Sequence, residues 1–182
     1  MRVIGLAGWS GAGKTTLIVK LIPYLRQRGV SVSTVKHAHH AFDVDKPGKD
    51  SYLHREAGAA EVLISSANRW VLTHELRGEA EYSLRELLQR LSPVELVLVE
   101  GFKTSTHRKI EVHRAANAKP YLHPNDPTIA ALASDADPPP SLTIPYAPLD
   151  DVAAVARLIS DLATPLPETI AALELGDVAQ GS

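Results

Sequence analysis

The residues best suited to chemistry lie near the start of the chain, in the segment Gly-Trp-Ser-Gly-Ala-Gly-Lys-Thr at residues 8–15. This segment fits G-x-x-x-x-G-K-[ST], the spacing of a phosphate-binding P-loop. Gly11 and Gly13 allow several backbone N–H groups to converge on a phosphate at the positive end of a helix. In such a loop Lys14 reaches the β- and γ-phosphates, and the Thr15 hydroxyl binds Mg²⁺.

A carboxylate, Glu100, directly follows the four apolar residues 96–99. Because those residues predict a buried strand, Glu100 lies at its carboxyl end, which is the edge where ligands bind in open α/β sheets. An acid there holds Mg²⁺, directly or through water, or orients a hydrolytic water. The P-loop favours this role over that of a plain strand end.

A histidine-rich loop follows the second predicted strand, with imidazoles at His37, His39 and His40. Three imidazoles within four residues are able to bind a transition metal. The alternative is a solvated loop that binds anions, in which Lys36 and His37 face phosphate. With no cysteine in the chain to complete a soft metal site, we favour the anion-binding interpretation.

Two further carboxylates each have a functional and a structural interpretation. Asp50 begins a predicted helix, where it is either an N-cap or a second Mg²⁺ contact. Asp135 ends another predicted strand and either forms a turn or accepts hydrogen bonds from guanine N1–H and N2–H₂, a donor pair that adenine lacks. The aromatic residues Trp70 and Phe102 either stack on a base or pterin ring or belong to the core.

The composition limits the classes of function. The chain has 182 residues, a formal net charge of −2 and no cysteine, which suits one domain that binds a nucleotide rather than a nucleic acid. Nothing demands an oxidising compartment. The first strand begins almost at Met1, which leaves no room for a signal peptide, and no apolar run approaches the roughly 20 residues of a membrane span. We therefore predict a cytoplasmic protein.

Predicted strands alternate with helices along the chain. The strands are residues 3–7, 30–36, 61–65, 70–74, 96–99, 109–113 and 128–133; the helices are residues 16–22, 49–58, 83–91 and 150–162. The prolines at 138–140 break the chain before a short segment near 142–144. This alternation predicts a three-layer α/β P-loop fold with a mostly parallel sheet flanked by helices. The alternation at residues 109–113 predicts a half-buried strand. We expect a nucleotide-binding domain over residues 1–164 and a partly disordered tail over 165–182, with one short helix.

Seven segments together resemble the molybdopterin-guanine dinucleotide biosynthesis protein B family, MobB. They are the P-loop, V-K-H-x-H-H at residues 35–40, D-x-D-x-P-G-K-D-S-Y at 43–52, R-x-A-G-A at 55–59, V-E-G-F-K at 99–103, K-I-E-V at 109–112 and A-S-D at 133–135. The resemblance runs from residue 3 to about 160. The P-loop is widespread, whereas the H-x-H-H and D-x-P-G-K-D-S segments in this order are specific.

The resemblance implies a homodimeric GTP-binding protein with weak intrinsic GTPase activity. It also implies an accessory role beside the guanylyltransferase that transfers GMP onto the molybdenum cofactor, with molybdopterin itself as a further candidate ligand. The residues implied to bind phosphate and Mg²⁺ are Gly11, Ala12, Gly13, Lys14, Thr15 and Thr16, with Glu100 as the acid. Asp135 is the candidate guanine reader. Asp50 as a magnesium contact rests on similarity to related P-loop enzymes such as dethiobiotin synthetase.

The resemblance transfers nothing to residues 112–116 or beyond Pro138, and the sequence places no arginine finger. Such a finger contributes about 10³ to 10⁵ in rate, so we expect slow hydrolysis. Three other functions stay open: an ATP-dependent small-molecule kinase or ligase whose acceptor is held by His37, His39 and Lys103; a metallochaperone-type GTPase that uses the histidine loop; and an adaptor in which nucleotide only orders an interface.

Overall fold

The structure, a computed structural model, describes residues 1–38 and 42–180, and side chains only as far as residue 176. Its contacts divide the chain into two compact units. Met1–His37 together with Leu84–Ser182 form the first unit, and Ala38–Ser83 form the second.

The elements alternate between strands and helices as the sequence predicts. The strands are β1 (Arg2–Ala7), β2 (Val32–Lys36), β3 (Glu61–Ser65), β4 (Trp70–His74), β5 (Leu96–Glu100), β6 (Lys109–His113), β7 (Ile129–Ser134), β8 (Tyr146–Pro148) and β9 (Thr164–Pro165). The helices are α1 (Lys14–Arg26), α2 (Asp50–Glu56), α3 (Leu84–Arg90), α4 (Val152–Leu162) and α5 (Leu166–Gln180). Short 3₁₀ turns cover Ala115–Asn117 and His123–Asn125.

The first unit is built on a sheet with the strand order β2-β5-β1-β6-β7-β8, in which all neighbouring strands are parallel. The short strand β9 pairs antiparallel with the start of β1. Leu6 lies opposite Glu100 on one side of β1, and Ala7 lies opposite Glu111 on the other. The carboxyl ends of β5, β1 and β6 therefore meet at one edge, with β1 in the middle.

Helices cover both faces of this sheet, which confirms the predicted three-layer fold. Alternate residues of β1 and β5 point to opposite faces because the side-chain period of a strand is two. On one face the strand residues Ile4 and Leu98 join a core with Leu21 of α1 and Ile159 of α4. On the other face, Val3, Val97 and Val99 form a second core with Leu84 and Leu88 of α3 and Leu173 of α5.

Strand β6 differs from the prediction because both of its faces are buried. Lys109 and Glu111, the polar residues of the alternating pattern, are each only 1% exposed. The Lys109 ammonium donates to the carbonyls of Lys103 and Ser105 and pairs with Asp126 at 3.3 Å. These partners explain how a pattern typical of a half-buried strand occurs in the middle of a sheet.

The domain boundary expected at residue 164 stays a prediction, and the segment that follows it begins with a helix. Helix α5 covers Leu166–Gln180, and its apolar residues Leu166, Ile170 and Leu173 pack in the core of the first unit. Their helical spacing of three and four residues gives α5 one buried side. A strand that the sequence did not predict, β8, lies a few residues beyond the short segment near 142–144. The Leu132 N–H of β7 donates to the carbonyl of Pro145, directly before β8.

The second unit contains α2 and a two-stranded antiparallel hairpin of β3 and β4. These strands have the predicted bounds, but they form a sheet of their own. The Arg55 guanidinium joins three carboxylates in this unit: Asp43 at 2.8 Å, Asp45 at 3.2 Å and Glu75 at 2.8 Å. This network ties the loop before α2 to the segment after β4.

Candidate functional site

The glycine-rich loop connects the carboxyl end of the buried strand β1 to the first turn of α1. Gly11 and Gly13 have positive φ angles of 80° and 94°, which a residue with a side chain rarely adopts. Gly13 is the N-cap of α1. The first N–H groups of a helix have no carbonyl partner within it, so those that follow Gly13 form a donor cluster suited to phosphate. This is the geometry predicted from the motif.

The Lys14 side chain folds back over this loop. Its Nζ donates to the carbonyl oxygens of Gly8 at 2.9 Å and of Trp9 at 3.0 Å. Burial, together with the positive charges of Lys103 and Lys36, lowers the pKa of Lys14, while the Glu100 carboxylate opposes that shift. The Lys14 ammonium thus feels the positive charge of Lys36 and of Lys103, and an anion bound beside it relieves that repulsion.

Glu100 lies beside the P-loop, as its position at the end of β5 predicts. The Thr15 hydroxyl donates to Glu100 Oε1 at 2.8 Å, and Lys36 Nζ lies 3.7 Å from Glu100 Oε2. The hydroxyl and the carboxylate supply two neighbouring oxygen ligands of the kind that Mg²⁺ prefers. Thr15 and Glu100 therefore have the donor chemistry to hold Mg²⁺ beside a phosphate bound by the loop.

The residues that follow β6 form a wall on the other side of the P-loop. Asn117 Nδ2 donates to the Ser10 carbonyl at 3.1 Å. Arg114 reaches towards Gly13, and its Nη1 lies 3.6 Å from Asp135 Oδ2. Asp135 Oδ1 accepts the Ala115 N–H at 2.8 Å. The predicted base reader Asp135 is thus joined to the P-loop through Arg114.

Trp9, inside the P-loop, contacts this wall as well. Its indole N–H donates to the Pro120 carbonyl at 2.9 Å. The ammonium groups of Lys103 and Lys119 lie 5.2 and 6.0 Å from its ring centroid, within the range of cation–π attraction. The loop is therefore flanked by positive charge from the segments that follow both β5 and β6.

The buried carboxylate of Glu111 holds the segment that follows β6 in place. The Glu111 carboxylate accepts the backbone N–H groups of Leu122 and His123 at 2.7 and 3.0 Å, and lies 2.8 Å from His123 Nδ1. His113 adds contacts of its ring nitrogens with Ser134 Oγ and the Lys119 carbonyl. The segment after β6 is therefore held by hydrogen bonds to the strand itself.

The remaining predicted residues have different outcomes. His37 and Phe102 pack against each other with ring centroids 4.9 Å apart. Trp70 is 68% exposed in the second unit, so it is not a core residue. Asp50 is the first residue of α2, after Lys49 as N-cap, so the N-cap interpretation was wrong; its role as a magnesium contact stays a prediction.

The metal-binding interpretation of the histidine loop concerns His39 and His40, which lie outside the described residues. Among the side chains of residues 1–38 and 42–176, the structure gathers no group of three or more histidines, cysteines or acids suited to a metal ion. None of the helices in that part of the chain is long and apolar enough to cross a membrane.

Arg114, Asn117 and Trp9 are the site residues that sequence reasoning missed. The two wall residues follow β6, and only the strand order shows that β6 lies next to β1. The signal available in the sequence was the position of Arg114 directly after a predicted strand. Trp9 occupies one of the variable positions of the P-loop motif, where residue type carries no expectation.

The fold and the site define a class: a P-loop NTPase-like α/β protein, with the loop between β1 and α1 and an acid at the end of the neighbouring parallel strand. Comparison with known families gives a match over residues 3–135 to the family described as molybdopterin guanine dinucleotide synthesis protein B, MobB. The chain belongs to this family.

Curated relatives agree with that assignment. The molybdopterin-guanine dinucleotide biosynthesis adapter protein of Escherichia coli K12 is 42% identical over 160 residues, which cover 86% of this chain and 90% of the relative. The protein with the same description from Haemophilus influenzae Rd is 42% identical over 135 residues, covering 73% of this chain and 74% of the relative.

Solved structures share the fold. A crystal structure of molybdopterin-guanine biosynthesis protein B superposes with a TM-score of 0.69 at 27% identity, covering 88% of this chain and 99% of the other. The crystal structure of Bacillus subtilis MobB gives a TM-score of 0.68 at 23% identity, covering 89% and 98%.

Proposed function

We propose that the protein is an adapter of molybdopterin-guanine dinucleotide biosynthesis that binds Mg²⁺-GTP at its P-loop and hydrolyses it slowly. The adapter role comes from the curated relatives that carry this description. The observation that carries the nucleotide proposal is the hydrogen bond between Thr15 and Glu100, next to Lys14 at the carboxyl edge of the sheet. In this role the protein acts beside the guanylyltransferase that transfers GMP to the cofactor, and molybdopterin is a further candidate ligand.

The charges around the loop support a polyphosphate ligand. The ammonium groups of Lys36 and Lys103 repel that of Lys14, and the Glu100 carboxylate opposes them. When phosphate binds, Lys14 exchanges its loop carbonyls for phosphate oxygens, while backbone donors hold the phosphate chain. Bound Mg²⁺ supplies charge neutralisation on the phosphate oxygens. Thr15 and Glu100 would hold it.

The base is proposed to be guanine, with Asp135 as its reader. Asp135 follows β7, two strands away from β1 on the side opposite Glu100. A nucleotide whose γ-phosphate lies near Glu100 directs its base towards that side. A carboxylate there accepts N1–H and N2–H₂ of guanine and repels N1 of adenine, which is an acceptor.

We also propose a homodimer formed through the β3–β4 hairpin. Leu63 and Leu72 are cross-strand partners on one face of this hairpin and are 62% and 45% exposed; Trp70, on the same face, is 68% exposed. Two-stranded sheets are marginal in water by themselves, and apolar faces of this kind favour association. A second copy of the same hairpin is the proposed partner.

The nucleotide site is tested by titrating the wild type, Lys14→Ala and Lys20→Ala with fluorescent GTP and ATP analogues in the presence of Mg²⁺. Lys20 is the matched control because it lies on the same helix and pairs with Asp150 at the surface. We expect Lys14→Ala to lose GTP binding at an unchanged melting temperature, and Lys20→Ala to retain it. Equal affinity of Lys14→Ala and wild type would show that the site is misassigned.

Base choice is tested by the same titration on Asp135→Ala. We expect wild type to prefer GTP and the variant to lose that preference. Preference of the wild type for ATP would contradict the guanine proposal and favour the kinase or ligase.

The dimer is tested by measuring the molar mass of Leu72→Glu by light scattering. Leu53→Glu is the control, since Leu53 lies on α2 of the same unit and is 53% exposed. We expect the first variant to have half the mass of the second. A monomeric wild type, or a dimeric Leu72→Glu, would refute this interface.

A further inference from the structure

Arg114 occupies a position that the P-loop motif does not explain. It follows β6, and its guanidinium lies against the first turn of α1. A Cβ atom added to Gly13 would lie 3.1 Å from Arg114 Nη2 and 3.6 Å from Nε. Gly13 therefore serves two purposes: it permits the positive φ of the loop, and it leaves room for a guanidinium beside the phosphate-binding N–H groups.

Asp135 orients this guanidinium. One of its oxygens accepts the Ala115 N–H at 2.8 Å, and the other lies 3.6 Å from Arg114 Nη1. The two side chains are 37% and 24% exposed, so a ligand is able to reach them. A pair this accessible to solvent adds little to folding stability. The pair instead orients Arg114, so that the other N–H groups of its guanidinium lie beside the loop.

The strand order decides which part of a nucleotide Arg114 meets. Glu100 approaches the loop from β5, on one side of β1, whereas Arg114 approaches from β6, on the other side. The phosphate that is cleaved lies next to the acid and its metal ion. The phosphates nearer the nucleoside lie on the side of Arg114.

We propose that Arg114 is a nucleotide-binding residue that contacts the α- or β-phosphate, and that Asp135 is its positioning residue in addition to any contact with the base. This inference rests on the proposed nucleotide binding at the P-loop. A guanidinium presents several N–H donors in a planar fork that matches the oxygens of a phosphate. Because these phosphates are present before and after hydrolysis, the contact stabilises GTP and GDP alike.

Equal stabilisation of GTP and GDP distinguishes the proposed role of Arg114 from that of an arginine finger. A finger stabilises charge that develops in the transition state, so its loss lowers the rate of hydrolysis of bound GTP. A contact equal in the ground and transition states changes affinity and leaves that rate unchanged. Loss of Arg114 should therefore lower the affinity for GTP and the affinity for GDP by the same factor.

The test is a calorimetric titration of the full chain with Mg²⁺-GTP and Mg²⁺-GDP, using wild type, Arg114→Ala, Arg114→Lys and the control Arg157→Ala on the exposed side of α4. Arg114→Ala should lose about 10- to 100-fold in affinity for both nucleotides. Arg114→Lys should recover part of that loss, since it keeps the charge without the fork. The single-turnover hydrolysis rate of bound GTP should stay unchanged.

Asp135→Ala provides the second arm. Because Asp135 positions Arg114, this variant should lower the affinity for GTP, GDP and ATP together, in addition to any change in base preference. Arg114→Ala binding GTP as tightly as the wild type would overturn the inference, and so would unchanged affinity with slower hydrolysis. A wild type that binds neither nucleotide would instead refute the proposed function. Should Arg114→Ala fail to fold, Arg114→Lys and Arg114→Gln decide by the same comparison.

Discussion

His107 is an imidazole buried without a hydrogen bond. It is 1% exposed, and within the described residues neither of its ring nitrogens has a partner. Its ring lies against Gly5 of β1, where a Cβ atom would collide with Nε2. Burial lowers the pKa of His107 to about 3, and the nearby positive charge of Lys109 contributes to the shift. The folded protein therefore holds this residue neutral.

This burial makes stability depend on pH with a defined sign. A histidine in the unfolded chain titrates near pH 6.5, so between about pH 6.5 and 3 the unfolded state binds more protons than the folded state. Stability then falls as pH falls, by about 1.36 kcal/mol per pH unit once the unfolded histidine is protonated. Between pH 7 and pH 5 the loss from this one residue comes to about 2 kcal/mol.

The measurement is urea unfolding of wild type and His107→Phe at pH 7 and pH 5. Phenylalanine keeps a ring and does not titrate, and it removes no hydrogen bond of the imidazole. Between pH 7 and pH 5, we expect the free energy of unfolding of the wild type to fall by about 2 kcal/mol more than that of His107→Phe. His74→Phe serves as a control of opposite sign, because a hydrogen bond with Glu61 raises the pKa of His74. Parallel acid losses in wild type and His107→Phe would refute the reasoning.

Two further predictions concern the segments around the site. Lys109→Met removes a buried ammonium that pairs with Asp126 and donates to two carbonyls, and it should lower the free energy of unfolding by about 3 kcal/mol. The exposed neighbour Arg108→Met should change it by less than about 0.5 kcal/mol, and equal effects in urea unfolding would contradict the pairing. Gly101→Ala places a Cβ atom at φ 93° and 2.8 Å from His37 Cβ, whereas Gly29→Ala, at φ 81°, meets no atom within 4 Å. Gly101→Ala should therefore cost at least about 1 kcal/mol more, and equal melting temperatures would exclude the clash.

The half of the site that surrounds Lys14 could be predicted from the sequence because its determinants are local. The P-loop is one continuous segment between a strand and a helix, and its conformation follows from the glycines within it. Glu100 was predictable because carboxyl ends of parallel strands meet at one edge of a sheet. The bond between Thr15 and Glu100 depends in addition on the pairing of β5 with β1.

The other half depends on which strands are neighbours. Polar residues at every second position of β6 indicate one solvated face, yet Lys109 and Glu111 are buried against partners from the loops before and after the strand. Helix α5 packs in the core of the first unit, within the segment expected as a partly disordered tail. In each case a tertiary partner, absent from the local pattern, determines burial.

The meeting of Arg114 with Asp135 follows from a single irregularity between β6 and β7. Lys109 pairs with Ile129, but the next residue, Ile110, pairs with Ala131, so β7 contains one extra residue at Ala130. From there the register continues to His113 opposite Ser134, which brings Arg114 opposite Asp135. Without the extra residue, Ser134 would face Arg114, and β7 would turn its side chains to the other face. The bulge is therefore the feature that brings Asp135 beside Arg114 and the P-loop, and no local sequence pattern predicts it.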